Sequence, residues 1–274
     1  MPHWKDLLGT ANRHLALDPA GSPRILDLGS GGGNTVFALH ELYPKARMIA
    51  SDLSVPLLRI LKANLERHHE AMSCAIVQMN AEQIVLRNDQ MDLVVGGSIL
   101  HHLFTPEKTL RECYRVLKPG GSAVFFEPFE LGNQMLALIF KQLIRMNGRI
   151  FLRPRLGRDV VAFFEALCLD YRVRKGIDKS DPVYQHMDDK WLFTRGYFET
   201  TARSIGFRKV TIDSLHDPKD MFLNQVKTLL RLGLGKDGSA LPGWAVALIR
   251  DSDEHFSEEM RAELLIEGCI LLEK

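Results

Sequence analysis

The chain of 274 residues has few cysteines and no long apolar run. Its four cysteines are far apart and form neither a CxxC motif nor a His/Cys cluster. This disfavours a disulfide framework or a structural zinc site and predicts a cytoplasmic protein without a bound metal. The most apolar stretch, Met135–Phe140, is six residues long, whereas a membrane span needs about 20. No basic-then-apolar leader begins the sequence, so we expect a soluble protein without a membrane span.

The chain also has almost no net charge, with 35 Lys and Arg against 34 Asp and Glu. This balance argues against a protein built mainly to bind nucleic acid. Hydrophobic residues make up 46% and charged residues 25%, which excludes wholesale disorder. The length fits one large domain, or one domain that carries an insertion.

Short apolar runs alternate with segments of helical spacing in the first half of the chain. The runs do not alternate with polar residues, which is typical of parallel strands buried on both faces. The five predicted strands are Arg24–Leu28, Ala46–Ala50, Cys74–Met79, Met91–Val95 and Ser122–Phe126. The helices predicted between them are Thr35–Leu42, Val55–Arg67 and Pro106–Leu117. The alternation predicts an α/β, doubly wound fold, in which ligands bind at the carboxyl ends of the strands.

A glycine-rich loop follows the first predicted strand. Its spacing is Gly29-x-Gly31-x-Gly33, preceded by an acidic residue, Asp27. Glycines let the backbone turn sharply and approach a ligand closely. The dinucleotide fingerprint of nicotinamide enzymes would need glycine where Asn34 stands. Asp52 ends the second strand, where a carboxylate can accept both hydroxyls of a ribose.

At these residues the chain resembles the class I S-adenosylmethionine-dependent methyltransferases. The segment 27–33 resembles their first motif, and Asp52 matches their ribose-binding acid. Residues 80–82, 92–103 and 110–121 resemble three later motifs, so the likeness covers roughly residues 24–128. The family implies S-adenosyl-L-methionine as cofactor and a seven-stranded, mostly parallel sheet with helices on both faces.

The resemblance also implies which residues hold the cofactor. Asp52 holds the ribose, Leu53 packs on the adenine, Asn80 and Ala81 meet the adenine edge, and Ser98 faces the amino-acid end. The full expected set is Asp27, Gly29, Ser30, Gly31, Gly33, Asp52, Leu53, Asn80, Ala81 and Ser98. Asn80 stands where many relatives have Asp, and its amide can both accept and donate a hydrogen bond.

Three side chains at strand ends are candidates for catalysis. Methyl transfer needs orientation, a dry site and, where the nucleophile carries a proton, a base. His101, His102 and Glu127 are the candidate bases. The paired histidines also occur as a plain loop element in the family. Glu127 has an alternative reading as a structural carboxylate bonded to backbone amides.

We expect three parts along the chain. Residues 1–128 form the first part of the cofactor-binding core, residues 129–189 a helical lid insertion over the acceptor, and residues 190–274 complete the core. In the last part, Trp191–Ile205 is predicted as a helix, Phe207–Ile212 and Gly268–Leu272 as strands, and the residues between them as mostly helical. The family implies that the last strand is antiparallel and lies beside the fifth.

The insertion carries the candidates for acceptor binding: Arg149, Arg153, Tyr184 and His186. A basic run that includes both arginines is either a solvated face or a grip on an anionic acceptor. An acidic run between residues 251 and 267 could pair with the basic run, within one chain or across a homodimer.

The expected reaction is the transfer of a methyl group to a small-molecule acceptor by in-line displacement. Gly96-Gly97-Ser98-Ile99 follows the fourth strand, where nucleic-acid amino-methyltransferases typically carry Asn/Asp-Pro-Pro-aromatic. This favours a small acceptor, apolar or anionic, over nucleic acid. The alternatives are an RNA methyltransferase, a protein of this fold that binds the cofactor but catalyses a reaction other than methylation, and a non-catalytic interaction protein.

Overall fold

The computed structural model describes residues 2–68, 72–148 and 154–274. The chain divides into two compact units. The first, here called the sheet unit, comprises Met1–Glu127, Asp178–Asp213 and Gly268–Lys274. The second, the helical unit, comprises Pro128–Ile177 and Ser214–Glu267. Residues 178–189, which the sequence analysis assigned to the lid insertion, thus belong to the sheet unit.

Seven strands form one sheet. In chain order they are β1 Arg24–Leu28, β2 Arg47–Asp52, β3 Cys74–Gln78, β4 Met91–Gly97, β5 Leu117–Pro128, β6 Lys209–Ser214 and β7 Glu267–Glu273. Their spatial order is β3-β2-β1-β4-β5-β7-β6, and β1 to β5 pair in parallel. The order reverses between β1 and β4, which is where a doubly wound sheet opens a ligand crevice. The predicted fold class is confirmed.

The last strand runs against the fifth, as the family resemblance implies. Gly120 N–H donates to the Lys274 carbonyl (3.1 Å) and Phe129 N–H donates to the Ile266 carbonyl (2.8 Å). Residue numbers therefore rise along β5 as they fall along β7. The pairing at Gly120 also explains why β5 begins at Leu117, five residues before the predicted start at Ser122.

Ten helices are described. They are α1 Pro2–Asn12, α2 Asn34–Leu42, α3 Val55–Arg67, α4 Pro106–Val116, α5 Glu130–Asn147, α6 Arg158–Arg174, α7 Arg195–Ile205, α8 Met221–Leu234, α9 Gly243–Glu254 and α10 Glu258–Glu263. None of these helices is long and apolar enough to cross a membrane.

The sheet core consists of the apolar runs that predicted the strands. Ile25, Leu26 and Leu28 in β1 are fully buried, as are Val94 and Val95 in β4. Central strands without polar alternation need apolar cover on both faces, because either face would otherwise expose large side chains to water.

Two predicted boundaries in the last third of the chain are wrong. The helix predicted from Trp191 begins at Arg195, because the Thr194 hydroxyl caps it by accepting from Tyr197 N–H (3.1 Å). The sixth strand begins at Lys209 and not at Phe207. Gly206 ends α7 with φ 116°, and Phe207 N–H still donates to the Ala202 carbonyl (3.1 Å), so Phe207 belongs to the helix terminus.

The helical unit has its own apolar core. The rings of Phe140 in α5 and Phe164 in α6 stack with centroids 4.4 Å apart. Asp253, almost fully buried in α9, accepts from the N–H groups of Phe222 (2.8 Å) and Leu223 (3.2 Å). These bonds satisfy two amides in the first turn of α8 and join the two helices.

Candidate functional site

The glycine loop between β1 and α2 depends on a left-handed backbone. Gly29, Gly31 and Gly33 have φ of 69°, 51° and 100°, a region that side chains rarely adopt. A Cβ on Gly29 would also lie 2.8 Å from the Ile99 side chain, whereas a Cβ on Gly31 would meet nothing within 4 Å. Gly31 therefore presents bare backbone to open space, as a loop that receives a ligand should.

Asp52 at the end of β2 is bound to this loop. Its Oδ2 accepts from Gly31 N–H (3.0 Å) and its Oδ1 accepts from Ser54 N–H (2.8 Å). Each carboxylate oxygen can accept a second hydrogen bond. The structure thus brings the predicted ribose acid and the glycine loop together, with acceptor capacity left on both oxygens.

Beneath the loop lie two buried polar groups. Asp27 is 2% exposed, and neither of its carboxylate oxygens accepts a hydrogen bond from the described residues; the Ser30 hydroxyl is in the same situation. Burial, and secondarily the negative charge of Asp52, raise the pKa of Asp27 well above its usual value. Unsatisfied buried groups are costly, so a cationic or hydrogen-bonding ligand portion would relieve them.

The predicted adenine side follows β2 and β3. Leu53 is 67% exposed, which is unusual for leucine and leaves an apolar surface beside Asp52. The Asn80 side-chain oxygen accepts from Glu82 N–H (2.9 Å), and Ala81 is buried. This turn fixes the orientation of Asn80, whose amide nitrogen can donate to a ligand and whose oxygen can accept one further hydrogen bond.

The turn after β4 is strained at Ser98. Ser98 has φ 61°, and its N–H donates to the Phe126 carbonyl (3.2 Å). A non-glycine residue in this region costs energy and persists only where neighbours hold it, often at functional sites. The side chain is exposed at the carboxyl end of β4, the position predicted for the amino-acid end of the cofactor.

Glu127 holds the histidine turn in place. Its Oε1 accepts from the N–H groups of Ile99 (3.1 Å) and Leu100 (2.7 Å). Its Oε2 accepts from His101 N–H (3.2 Å) and lies 2.6 Å from His101 Nδ1. With both oxygens engaged and the side chain fully buried, Glu127 has the geometry of the structural carboxylate weighed above, with the added property of orienting His101.

Asp189 lies beside both histidine rings. Its Oδ1 lies 3.5 Å from His101 Nε2 and 3.2 Å from His102 Nδ1. Hydrogen bonding to Asp189 is the main cause that raises the pKa of His102 above its usual value, and burial opposes it. His102 therefore takes up a proton more readily than an unpaired histidine and keeps it to a higher pH.

These three side chains also have the geometry of a metal cluster. One ligand atom from each of His101, His102 and Asp189 lies within 4.8 Å of the others. However, His102 Nδ1 also lies 3.1 Å from the Asp188 carbonyl. Because both neighbours of Nδ1 are acceptors, a proton on Nδ1 satisfies this arrangement without a metal. The absence of a metal stays a prediction.

Lys190 and Trp191 attach the segment that carries Asp189 to the histidine turn. Lys190 N–H donates to the His101 carbonyl (2.7 Å), and its ammonium donates to the carbonyls of His102 (2.9 Å), Met187 (2.8 Å) and Asp188 (3.3 Å). The indole of Trp191 donates to the Leu103 carbonyl (2.7 Å). Sequence reasoning missed these residues, because no local pattern links positions so far apart in the chain.

Two of the predicted acceptor residues, Tyr184 and His186, lie in one short turn. Tyr184 is buried in a 3-10 turn, Pro182–His186, where the Lys179 ammonium lies 4.8 Å from its ring and equally close to that of Trp191. His186 is exposed at the end of the same turn. Arg149 and Arg153 lie outside the described residues.

Comparisons with known proteins agree with this site. Residues 26–125 match a protein family described as "Methyltransferase domain". The chain is 29% identical over 202 residues to the ubiquinone/menaquinone biosynthesis C-methyltransferase UbiE of Syntrophotalea carbinolica, which covers 73% of this chain and 74% of that protein. A mitochondrial 2-methoxy-6-polyprenyl-1,4-benzoquinol methylase of Caenorhabditis elegans is 32% identical over 114 residues, which are 41% of this chain and 40% of that protein.

The fold is also found in a solved structure with bound cofactor. Phosphoethanolamine N-methyltransferase 2 of Haemonchus contortus, in complex with S-adenosyl-L-methionine, matches with a TM-score of 0.58 at 14% identity. The match covers 99% of this chain and 52% of that chain. At this identity the likeness concerns the fold alone.

Proposed function

We propose, from the premise that this chain belongs to the class I S-adenosylmethionine-dependent methyltransferase family, that it methylates a small-molecule acceptor. One observation carries the proposal: Asp52 and the left-handed glycine loop are joined by the bond from Gly31 N–H to Asp52 Oδ2 (3.0 Å). This arrangement places a carboxylate that can accept hydrogen bonds from a ribose beside exposed backbone at one edge of the sheet.

The residues present fit the cofactor. The amino-acid portion of S-adenosyl-L-methionine carries an ammonium, which suits the buried, unsatisfied carboxylate of Asp27. Asp52 would hold the ribose and exposed Leu53 the adenine, with Asn80, Ala81 and Ser98 as further contacts. When bound, the cofactor supplies a sulfonium methyl group that is already activated for displacement.

His101 is the proposed base, and Glu127 is the residue that positions it. Glu127 fixes Nδ1 of His101 at 2.6 Å, so Nε2, which Asp189 Oδ1 approaches only to 3.5 Å, is the nitrogen proposed to take a proton from the acceptor. The Glu127 carboxylate then faces an imidazolium and stabilises it. His102 is less suited to this role, because its side chain is 46% exposed and its carboxylate partner, Asp189, is 42% exposed, so neither the ring nor its partner is held in a dry site.

For the acceptor, we propose a small molecule and not a particular compound. Among the similar proteins are enzymes named for a benzoquinol, for the malonyl group of an acyl-carrier protein, and for arsenite. These names differ in the atom that is methylated, so they support the reaction class and leave the acceptor to a screen.

The experiment begins with the purified chain and calorimetry. We expect S-adenosyl-L-methionine or S-adenosylhomocysteine to bind and NAD not to compete. A panel of a hydroquinone, a malonyl thioester and arsenite is then assayed for S-adenosylhomocysteine release. Binding of NAD and of neither sulfur nucleoside would refute the proposal. If the cofactor binds but no S-adenosylhomocysteine is released, and an acceptor is nevertheless converted to an unmethylated product, a reaction other than methylation is favoured.

The role of residues 129–189 as a lid, and of Arg149 and Arg153 as a grip on an anionic acceptor, stays a prediction. Replacing both arginines by Gln should raise the KM of an anionic acceptor at least about tenfold, because even one lost charge-assisted bond costs roughly 1.5–3 kcal/mol. The Kd of the cofactor should not change. Unchanged acceptor kinetics would make the basic run a solvated or dimer-forming face.

A further inference from the structure

The first helix brings an aromatic side chain to the carboxyl end of β4. Trp4, Leu8 and Ala11 follow the spacing i, i+4, i+7 and so share one face of α1. Leu8 and Ala11 are buried, while Trp4 is half-buried. The helix is attached to α2 by the ion pair of Lys5 and Glu41 (2.8 Å).

Trp4 lies directly on Gly97. A Cβ built on Gly97 would come within 2.8 Å of the indole carbons Cη2 and Cζ3, and 3.1 Å from the Thr35 hydroxyl. Across the next strand, the Trp4 ring meets Phe126 edge to face, with centroids 6.0 Å apart and planes at 81°. Gly97 therefore leaves the space that the indole occupies.

This position lies on the acceptor side of the crevice. The proposed cofactor contacts run from Asp52 at the end of β2, across β1, to Ser98 after β4. The strand beyond β4 is β5, which carries both Phe126 and Glu127. Trp4 thus lies at the end of β4, just before the turn that carries Ser98, the last proposed cofactor contact, and His101, the proposed base.

We propose that Trp4 is a wall of the acceptor site and that it selects a flat, aromatic acceptor ring. A half-buried indole keeps part of its surface accessible, and aromatic rings gain affinity from offset or edge-to-face contact beyond their apolar area. The buried Phe126 backs the Trp4 ring edge to face and holds its accessible part at the end of β4 and β5. The inference rests on the proposed methyltransferase function and assigns its acceptor class.

The test measures equilibrium binding, so it does not depend on turnover. 1,4-Dihydroxynaphthalene is titrated by calorimetry into the full-length chain saturated with S-adenosylhomocysteine. Trp4→Leu keeps an apolar side chain and removes the ring, and we expect it to weaken naphthalene binding about fivefold to tenfold. Trp4→Phe keeps a flat ring and should stay within about threefold of the wild type.

Two further variants separate ring contact from helix packing. Lys5→Ala loosens an exposed ion pair of the same helix and leaves the indole in place, so naphthalene affinity should hold within about twofold. Gly97→Ala should displace the indole and weaken naphthalene binding in the same direction as Trp4→Leu. In the Trp4 and Lys5 variants the affinity for S-adenosylhomocysteine should stay within about twofold, since the exposed ion pair and the ring lie outside its proposed contacts.

The proposal is overturned if Trp4→Leu leaves naphthalene binding unchanged, or if it weakens S-adenosylhomocysteine binding as much as naphthalene binding. It is also overturned if Trp4→Phe and Trp4→Leu lose affinity equally, because then the ring geometry does not matter. A wild-type chain that binds S-adenosylhomocysteine but no naphthalene diol would refute the acceptor class alone. Failure to bind S-adenosylhomocysteine would instead refute the proposed function.

Discussion

Replacing Glu127 by Gln tests whether the buried carboxylate positions the proposed base. The amide keeps one oxygen, which can still accept from the N–H groups of Ile99 and Leu100. In place of Oε2 it presents an NH₂ group to two donors, His101 N–H (3.2 Å) and His101 Nδ1 (2.6 Å). The His101 N–H loses its acceptor and the remaining bonds lose their charge, so the free energy of unfolding should fall by about 1.5–3 kcal/mol.

The same change should alter the tautomer of His101. An NH₂ group donates, so Nδ1 must accept and the ring proton moves to Nε2. A protonated Nε2 cannot take a proton from the acceptor, and kcat should fall at least about hundredfold, the lower end for loss of general-base catalysis. The KM of the cofactor should change little, because Glu127 lies outside its proposed contacts.

The assays are urea unfolding, steady-state kinetics and ¹⁵N NMR of the histidine rings. Asp253→Asn is the matched control, since Asp253 is also a buried carboxylate that accepts from two backbone amides, but it caps α8 in the helical unit. It should lower stability with kcat retained. If Glu127→Gln lost stability while kcat and the His101 tautomer stayed as in the wild type, Glu127 would be structural only and His101 would not be the base.

Three further predictions concern carboxylates around the site. Asp52→Ala should weaken cofactor binding by roughly 1.5–3 kcal/mol with the fold retained, measured by calorimetry and circular dichroism; unchanged affinity would refute its ribose role. Asp27→Asn should raise the Tm of the ligand-free protein at pH 7 and weaken cofactor binding. The folded-state pKa of Asp27 is raised, so ionisation costs stability as pH rises above the unfolded value, and the amide removes that cost; a lowered Tm would contradict this. Asp189→Asn should narrow the pH range of stability. Because the folded-state pKa of His102 is raised, its pair with Asp189 stabilises the protein fully below the unfolded pKa and loses that contribution as pH rises through the folded value. The stability difference between wild type and variant should therefore be larger at pH 5.5 than at pH 8.5, and a pH-independent difference would argue against the pair.

The features predicted well from the sequence are those that depend on neighbours along the chain. The strand β1 and the helix α3 have the predicted bounds, because a continuous apolar run and a Ser54 cap are local signals. The contact between Gly31 and Asp52 was also predictable, because parallel strands bring their carboxyl ends to one edge of the sheet.

The features that were missed depend on partners far away in the chain. Trp191 looked helical, but its indole bond to the Leu103 carbonyl (2.7 Å) keeps it in an extended segment. Asp189 carries no motif, and its contact with both histidines follows only from how that segment docks. The helix α1 could have been found from the spacing of Trp4, Leu8 and Ala11, a short pattern that gives no hint of where the helix packs.

The ammonium of Lys190 has a consequence for the order in which the site forms. It is 7% exposed and uses all three of its donors on carbonyls, one of which, that of His102, lies 88 residues away in the chain. Contacts between such distant residues require a long loop to close before they repay its entropy. The histidine turn should therefore reach its final shape late in folding, after β1, β2 and β4 have paired. Pulse-labelled hydrogen exchange would show this as late protection of Lys190 N–H relative to the N–H groups of the central strands, with the sheet formed first and the histidine turn last.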